Sequence, residues 1–155
     1  MLGFLTAILL VEKLGRVRLQ LLGFALMALG LIVLGYSSGL PGGGDEHIVA
    51  IFIGFAIFNF FMNAGPNATT YALPAEVFPS DVRAAGHGFA AGAAKLGAAI
   101  GVFFFPILLD EIGQSALLYL MAGLVGVAFV VTWVFRIETA GKSLDEISGR
   151  KVSAL

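Results

Sequence analysis

The sequence predicts an all-α integral membrane protein, and three observations carry this prediction. Apolar residues make up 59% of the 155 residues and charged residues only 12%, whereas soluble domains carry about 25% charge. The apolar residues form long segments, most of them long enough to cross a bilayer. Residues 21–35 and 117–135 are apolar on every side, whereas the helices of a soluble bundle keep one polar face. A soluble four-helix bundle is therefore the disfavoured alternative.

The chain divides into five apolar segments and a polar tail. The predicted helices are residues 1–11, 19–40, 48–73, 84–109 and 116–135, and the tail is residues 136–155. All but the first reach the roughly 20 residues that cross a hydrocarbon core of about 30 Å. A secretory signal carries its basic residues before the apolar run, but Lys13 and Arg16 follow the first segment. We therefore expect four full transmembrane helices and a partial one, in a chain that begins mid-helix as a fragment.

The breaks between segments alternate in charge. Lys and Arg lie in the first and third breaks and in the tail, whereas the second and fourth breaks contain acids and no Lys or Arg. By the positive-inside rule, the basic breaks face the cytoplasm. We therefore predict a multi-pass protein of the plasma or inner membrane with a cytoplasmic C-terminus.

Composition also excludes several classes of function. The net charge of −1 gives no basic surface for nucleic acid, and the absence of cysteine excludes thiolate metal sites and redox motifs. The sequence contains no paired nucleophile and base, metal cluster or phosphate-binding soluble loop. We expect neither enzyme activity nor a cofactor.

A row of polar side chains crosses the third segment. Asn59, Asn63, Asn67 and Tyr71 recur every four residues, which places them along one side of a helix with 3.6 residues per turn. Lipid cannot hydrogen-bond these groups, so the row must face another helix or a wet cavity. Asparagines that only join helices are the alternative; the length of the row favours a cavity lining.

Two further residues stand out within the apolar segments. Pro66 interrupts the row and predicts a kink, because its ring clashes with the carbonyl four residues earlier; broken helices form solute sites in transporters. Lys95 lies deep in the fourth segment, where a lipid-facing ammonium would cost about 2.5 to 3.5 kcal/mol. Lys95 therefore faces protein or water, or extends its stem back to the membrane surface. Both possibilities remain open.

Three predicted cytoplasmic patches combine acids with basic residues. They occupy residues 12–16, 74–83 and 138–147 and contain Glu12, Arg16, Glu76, Arg83 and Glu138. Such groups can pair across helices and hold one conformation, although exposed pairs contribute only about 0 to 1 kcal/mol each. The alternative is that these are three solvated loops.

In this order and spacing, the patches resemble the C-terminal half of a major facilitator superfamily transporter, from the end of its eighth helix to the tail. Gly-Pro-Asn-Ala-Thr-Thr at residues 65–70, Gly-His-Gly at 86–88 and Lys-Leu-Gly-Ala at 95–98 are similar to motifs of the phosphate:proton symporters of fungi and plants. Ala94 stands where that family commonly has glycine. The resemblance implies twelve helices in two halves, alternating access, and phosphate moved together with protons.

The resemblance also implies roles for individual residues. Asn67 would bind phosphate, with Asn63, Tyr71 and Lys95 as weaker candidates in the same cavity, and the five charged residues of the patches would form a latch that stabilises the outward-open state. The expected partners are inorganic phosphate, protons, the lipid bilayer and the missing N-terminal half, without which the chain would not transport. Two alternatives remain: a sugar or organic-acid symporter of the same superfamily, and a non-transporting sensor or scaffold.

Overall fold

The computed structural model describes residues 2–41, 46–78 and 81–136, and all regular structure within these ranges is helical. Glu138 and nearly all of the predicted tail lie outside the described residues. Three stretches are long and apolar enough to cross a membrane, namely Arg16–Ser38, Ile48–Val77 and Arg83–Val134. The helices are α1 (Leu2–Leu14), α2 (Arg16–Ser38), α3 (Ile48–Ala64), α4 (Pro66–Val77) and α5 (Arg83–Val134).

Helix α2 is the centre of the packing. Its start lies beside the end of α4, where Arg16 contacts Glu76, and further along the helix Gly30 lies against Phe58 of α3. The helix therefore runs antiparallel to α3 and α4. Helix α1 packs on α3, where a Cβ at Gly3 would lie 2.7 Å from the backbone oxygen of Phe60. It is joined to α2 by a turn at Gly15, whose φ of 88° is a conformation that favours glycine.

Helix α5 is interrupted at Gly113, within residues 110–115, where the sequence predicts a break between two spans. Its 52 residues form two helices that meet at Gly113, whose backbone is non-helical, with φ 77° and ψ 166°. A straight helix of this length would extend about 78 Å. Instead, Gly86 near its start and Phe135 at its end both lie beside Phe78, so the chain turns back at Gly113. Only glycine adopts this backbone conformation without strain.

The predicted third segment is also divided, into α3 and α4. The division lies at Gly65 and Pro66, where the proline predicts a kink, and Gly65 has φ −114° and ψ −98°. Helix α2 packs directly on this interruption: a Cβ at Gly65 would lie 2.6 Å from Cα of Gly23. Small residues allow membrane helices to approach this closely.

The first part of α5 has no such packing. A Cβ added at Gly88, Gly92, Gly97 or Gly101 would have nothing within 4 Å. Gly97 and Gly101 have the four-residue spacing that is typical of a packing contact between membrane helices, but neither glycine has a packing neighbour in the described part of the chain.

Replacing Gly30 with alanine is expected to lower the free energy of unfolding by about 1 to 3 kcal/mol, the usual cost of overpacking. The added Cβ would lie 2.6 Å from the backbone nitrogen of Phe58, which cannot rotate aside as a side chain can. Denaturant unfolding of the purified chain in detergent micelles, followed by circular dichroism, measures the change.

Gly97→Ala is the matched control, because its Cβ would meet no atom within 4 Å and alanine favours the helix by up to about 1 kcal/mol. Equal stability of the two variants would contradict the close packing of α2 on α3.

Candidate functional site

The candidate site is built around the interruption between α3 and α4. Gly65 N donates a hydrogen bond to Phe61 O at 3.0 Å, so the last turn of α3 is closed. The Gly65 carbonyl accepts from the backbone nitrogen of Thr69 at 3.0 Å and from its hydroxyl at 3.0 Å. Thr69 is 1% exposed. The interruption is therefore a closed, hydrogen-bonded joint that begins α4 at Pro66, a position where a proline loses no helical hydrogen bond.

The asparagine row passes across this joint as a chain of hydrogen bonds. Asn63 Nδ2 donates to the backbone oxygen of Asn59 at 2.7 Å and lies 3.4 Å from Asn59 Oδ1. Asn67 Nδ2 donates to Asn63 Oδ1 at 3.1 Å. All three asparagines of the chain belong to this row.

The hydrogen bonds of the row have one possible direction. A backbone carbonyl can only accept, so Asn63 must turn its NH₂ group toward Asn59 and its oxygen toward Asn67. Asn67 must then turn its own NH₂ group toward Asn63. This leaves the oxygen and the second N–H of Asn67 available for another molecule, one as an acceptor and one as a donor.

The row faces out of the described bundle. Asn59 and Asn67 are exposed, Asn63 is half-buried, and Tyr71 is 46% exposed. Asn59 and Asn63 also line a groove of about 360 Å³ between α1 and α3. An uncharged polar row on the surface of a spanning segment requires water or further protein beside it, because lipid supplies no hydrogen bonds.

The other two predicted binding residues are placed differently. Tyr71 lies one helical turn beyond Asn67, and its hydroxyl makes no hydrogen bond with a described residue. Lys95 is exposed on the first part of α5, between Gly92 and Gly97, whose surroundings are open. Within residues 2–41, 46–78 and 81–136, no hydrogen bond or ion pair joins Lys95 to the asparagine row.

Three of the predicted latch residues form an ion cluster where α1, α2 and α4 meet. Arg16 Nη2 lies 2.8 Å from Glu12 Oε1 and 3.1 Å from Glu76 Oε1, and Arg16 Nε donates to the same Glu76 oxygen at 3.2 Å. The side chains of Arg16 and Glu76 are 14% and 26% exposed, whereas that of Glu12 is 68% exposed. The cluster therefore joins the end of α1, the start of α2 and the end of α4 through the largely buried Arg16 side chain.

The remaining latch residues are not part of this cluster. Arg83 Nε donates to the backbone oxygen of Phe78 at 3.2 Å, next to the end of α4, so it stabilises the turn that leads into α5. Glu138 lies outside the described residues.

Asn59 orients the row through its backbone carbonyl, which accepts a hydrogen bond from Asn63. The four-residue spacing alone does not indicate this role. The spacing places Asn59 in the row, but only the contact of its carbonyl oxygen with Asn63 determines which way the amides point. Gln20 was not predicted at all. It is a buried amide in the second turn of α2, without a motif around it.

Comparison with known proteins gives consistent matches over nearly the whole chain. Residues 1–149 match the profile of the family described as "Sugar (and other) transporter". The chain is 37% identical over 150 residues to a probable inorganic phosphate transporter 1-6 of Arabidopsis thaliana, which covers 95% of the chain and 28% of the relative. It is 37% identical over 163 residues to a probable inorganic phosphate transporter 1-12 of Oryza sativa subsp. japonica, with 95% and 29% covered.

A third relative, a low affinity inorganic phosphate transporter 4 of Lotus japonicus, is 35% identical over 154 residues, with 95% and 28% covered. The chain thus spans less than a third of the length of these curated relatives.

The two carboxylates of the ion cluster are expected to contribute unequally to the free energy of unfolding. In double-mutant cycles built from Arg16→Ala with Glu76→Gln or Glu12→Gln, we expect a coupling free energy of about 1 to 2 kcal/mol for Glu76 and below about 1 kcal/mol for Glu12. The reason is that the Glu76 pair is shielded from water, whereas Glu12 is 68% exposed.

Denaturant unfolding in micelles at low and at high salt measures both couplings, and salt should weaken the exposed pair first. A larger coupling for Glu12 than for Glu76 would show that α4 is not held by this guanidinium.

Proposed function

The chain belongs to the sugar (and other) transporter family of the major facilitator superfamily, and from this membership we propose that it is the C-terminal part of an inorganic phosphate transporter. The three relatives named above are inorganic phosphate transporters, which supports phosphate as the substrate. The protein is integral to the membrane, and this part of it contributes four full transmembrane helices and a partial one. Residues 136–155 lie on the cytoplasmic side. The protein has no catalytic activity. Protons accompany the phosphate, and the remaining helices complete the cavity.

The single observation that carries this proposal is the directed asparagine row at the helix interruption. Asn67 offers one acceptor and one donor without a charge of its own. Dihydrogen phosphate carries both P–OH donors and oxygen acceptors, so it can satisfy both groups at once. Because Asn67 is uncharged, it adds no ion pair of its own to those that a cation in the cavity makes, so the anion can still be released.

The other predicted residues support Asn67. Asn63 and the carbonyl of Asn59 hold its amide in one orientation. Tyr71, one turn further along, and Lys95 would donate to the same anion once the missing helices enclose the cavity. Lys95 would then face water and protein instead of lipid, which removes the cost of a charge in hydrocarbon.

The charged patches act as the latch in this proposal. Arg16, Glu12 and Glu76 tie α1 and α2 to the end of α4, and Arg83 holds the backbone of Phe78. Together with Glu138 they would close the cytoplasmic side and stabilise the outward-open state. Alternating access then requires this cluster to separate when the cavity opens inward.

Removing the Asn67 amide is expected to lower the efficiency of phosphate uptake by about 10- to 100-fold, because a hydrogen bond to a charged group contributes about 1.5 to 3 kcal/mol. Residues 1–155, fused to the N-terminal part of the Arabidopsis relative, are expressed in yeast that lack their own phosphate uptake. Radioactive phosphate uptake is then measured for Asn67→Ala at matched surface expression.

Gln114→Ala is the control for this measurement, because it removes an exposed amide that lies outside the row, beside Gly113. Unaltered uptake kinetics in Asn67→Ala would remove this residue from the site. If sugars or organic acids inhibit uptake and excess unlabelled phosphate does not, phosphate is not the substrate.

The direction of the row also predicts how the transporter rejects sulfate. Sulfate carries no proton at neutral pH and therefore cannot donate to the outward oxygen of Asn67. In Asn63→Ala the Asn67 amide is free to rotate and present both N–H groups, so the preference for phosphate over sulfate is expected to fall about tenfold. Competition of labelled phosphate uptake by sulfate measures the preference, and a preference unchanged from the parent protein would show that the row does not orient Asn67.

A further inference from the structure

A second cavity lies beyond the asparagine row, at the end of α4. It has a volume of about 290 Å³ and lies between the start of α2, the end of α4 and the end of α5. Its walls are mainly apolar, with Val77, Phe78 and Phe135 among them, and its polar groups are Gln20, Thr132 and Arg136. None of these residues belongs to the proposed phosphate site or to the ion cluster.

The cavity lies at the level of lipid headgroups. It is formed where three apolar spans begin or end, which is the boundary between hydrocarbon and water. Trp133 and Phe135, at the end of α5, are 56% and 75% exposed. Exposed aromatic residues at the ends of spans are typical of the membrane interface.

Gln20 requires a partner that the described residues do not supply. It is 9% exposed, and its Oε1 is buried without a hydrogen-bond partner in the described part of the chain. Buried polar atoms are nearly always hydrogen-bonded to protein, water or ligand. A carbonyl oxygen accepts only, so the missing partner must carry an O–H or N–H group.

The other groups that line the cavity indicate which further chemical groups the ligand carries besides this donor. Arg136 is a guanidinium that forms no ion pair with another described residue, and it favours a phosphate or carboxylate. The hydroxyl of Thr132 can donate to the same anion. The apolar walls and the exposed Val131 and Phe135 beside them favour hydrocarbon.

An ethanolamine phospholipid combines a phosphate, an N–H donor and hydrocarbon in one molecule. We propose that this cavity binds the headgroup of phosphatidylethanolamine, with the ammonium donating to Gln20 Oε1 and the phosphate accepting from Arg136 and Thr132. A volume of about 290 Å³ is at the lower end of small-molecule pockets, about 300 to 1,000 Å³. It accommodates a headgroup, while the acyl chains remain outside along the apolar surface of α5. Basic pockets between spanning helices at the cytoplasmic surface bind lipid headgroups in this way.

A series of lipids that differ only in N-methylation tests the proposal on the unaltered chain. The purified full chain is equilibrated in detergent with phosphatidylethanolamine, its monomethyl and dimethyl derivatives, or phosphatidylcholine, all with identical acyl chains. Bound lipid is quantified by native mass spectrometry. Because one N–H is enough for Gln20, binding is expected to persist through the dimethyl lipid and to fall about tenfold at phosphatidylcholine, which has none.

Three other outcomes would overturn the proposal. Equal binding across the series would show that no N–H donor is recognised. Tighter binding of phosphatidylglycerol would show that the cavity selects negative charge alone. The absence of any bound lipid would show that water satisfies Gln20.

Two substitutions at one position test the role of Gln20. Gln20→Leu removes the acceptor and is expected to bind ethanolamine and choline lipids equally, at the weaker level. Gln20→Glu keeps an acceptor and strengthens it with charge, so it should retain or increase the preference for the ethanolamine lipid. If Gln20→Leu keeps the parent preference, Gln20 does not contact the headgroup. The methylation series needs no substitution, so the proposal stays testable if either variant fails to fold. These readouts do not involve transport.

Discussion

The close contact between α2 and the interrupted helix determines the arrangement of the other elements. At Gly23 and Gly65 the two backbones approach so closely that an added Cβ would lie within 2.7 Å of the opposing Cα. In hydrocarbon, helices associate through such packing and not through a hydrophobic driving force, so small residues at the crossing set the geometry. Gly65 is also the joint between α3 and α4, which means that the same contact holds the break in place.

The antiparallel register that follows from this contact brings together groups that are distant in sequence. With Gly23 opposite Gly65, the start of α2 lies beside the end of α4, and Arg16 meets Glu76 across 60 residues. The same end of α2 carries Gln20 to the last turn of α5. One helix pair therefore supports the ion cluster on one side and the proposed headgroup cavity on another.

The two parts of α5, before and after Gly113, differ in how closely they pack against the rest of the bundle. The part that follows Gly113 packs on α2, where the Ser115 hydroxyl donates to the carbonyl of Gly35. The part that precedes it carries Lys95 and glycines with open surroundings. A charged residue on an unpacked, apolar helix is compatible with a bilayer only when protein or water covers it. In a transporter that uses this helix as a cavity wall, the cover would be the remaining helices.

The sequence by itself predicted a helical chain with long apolar segments, the polar row and the break at Pro66. These features depend on local quantities: the length of an apolar run, a spacing of four residues on a helix, and the missing N–H of proline. Only the tertiary structure decided that Arg16 pairs with Glu76 and that Arg83 does not join them. It also decided that the row donates toward Asn59, that the chain reverses at Gly113, and that Gln20 Oε1 is buried without a hydrogen-bond partner among the described residues. The reason is that each of these facts depends on the register of one helix against another. That register is set by backbone contacts at a few glycines, and neither composition nor periodicity records which glycines will meet.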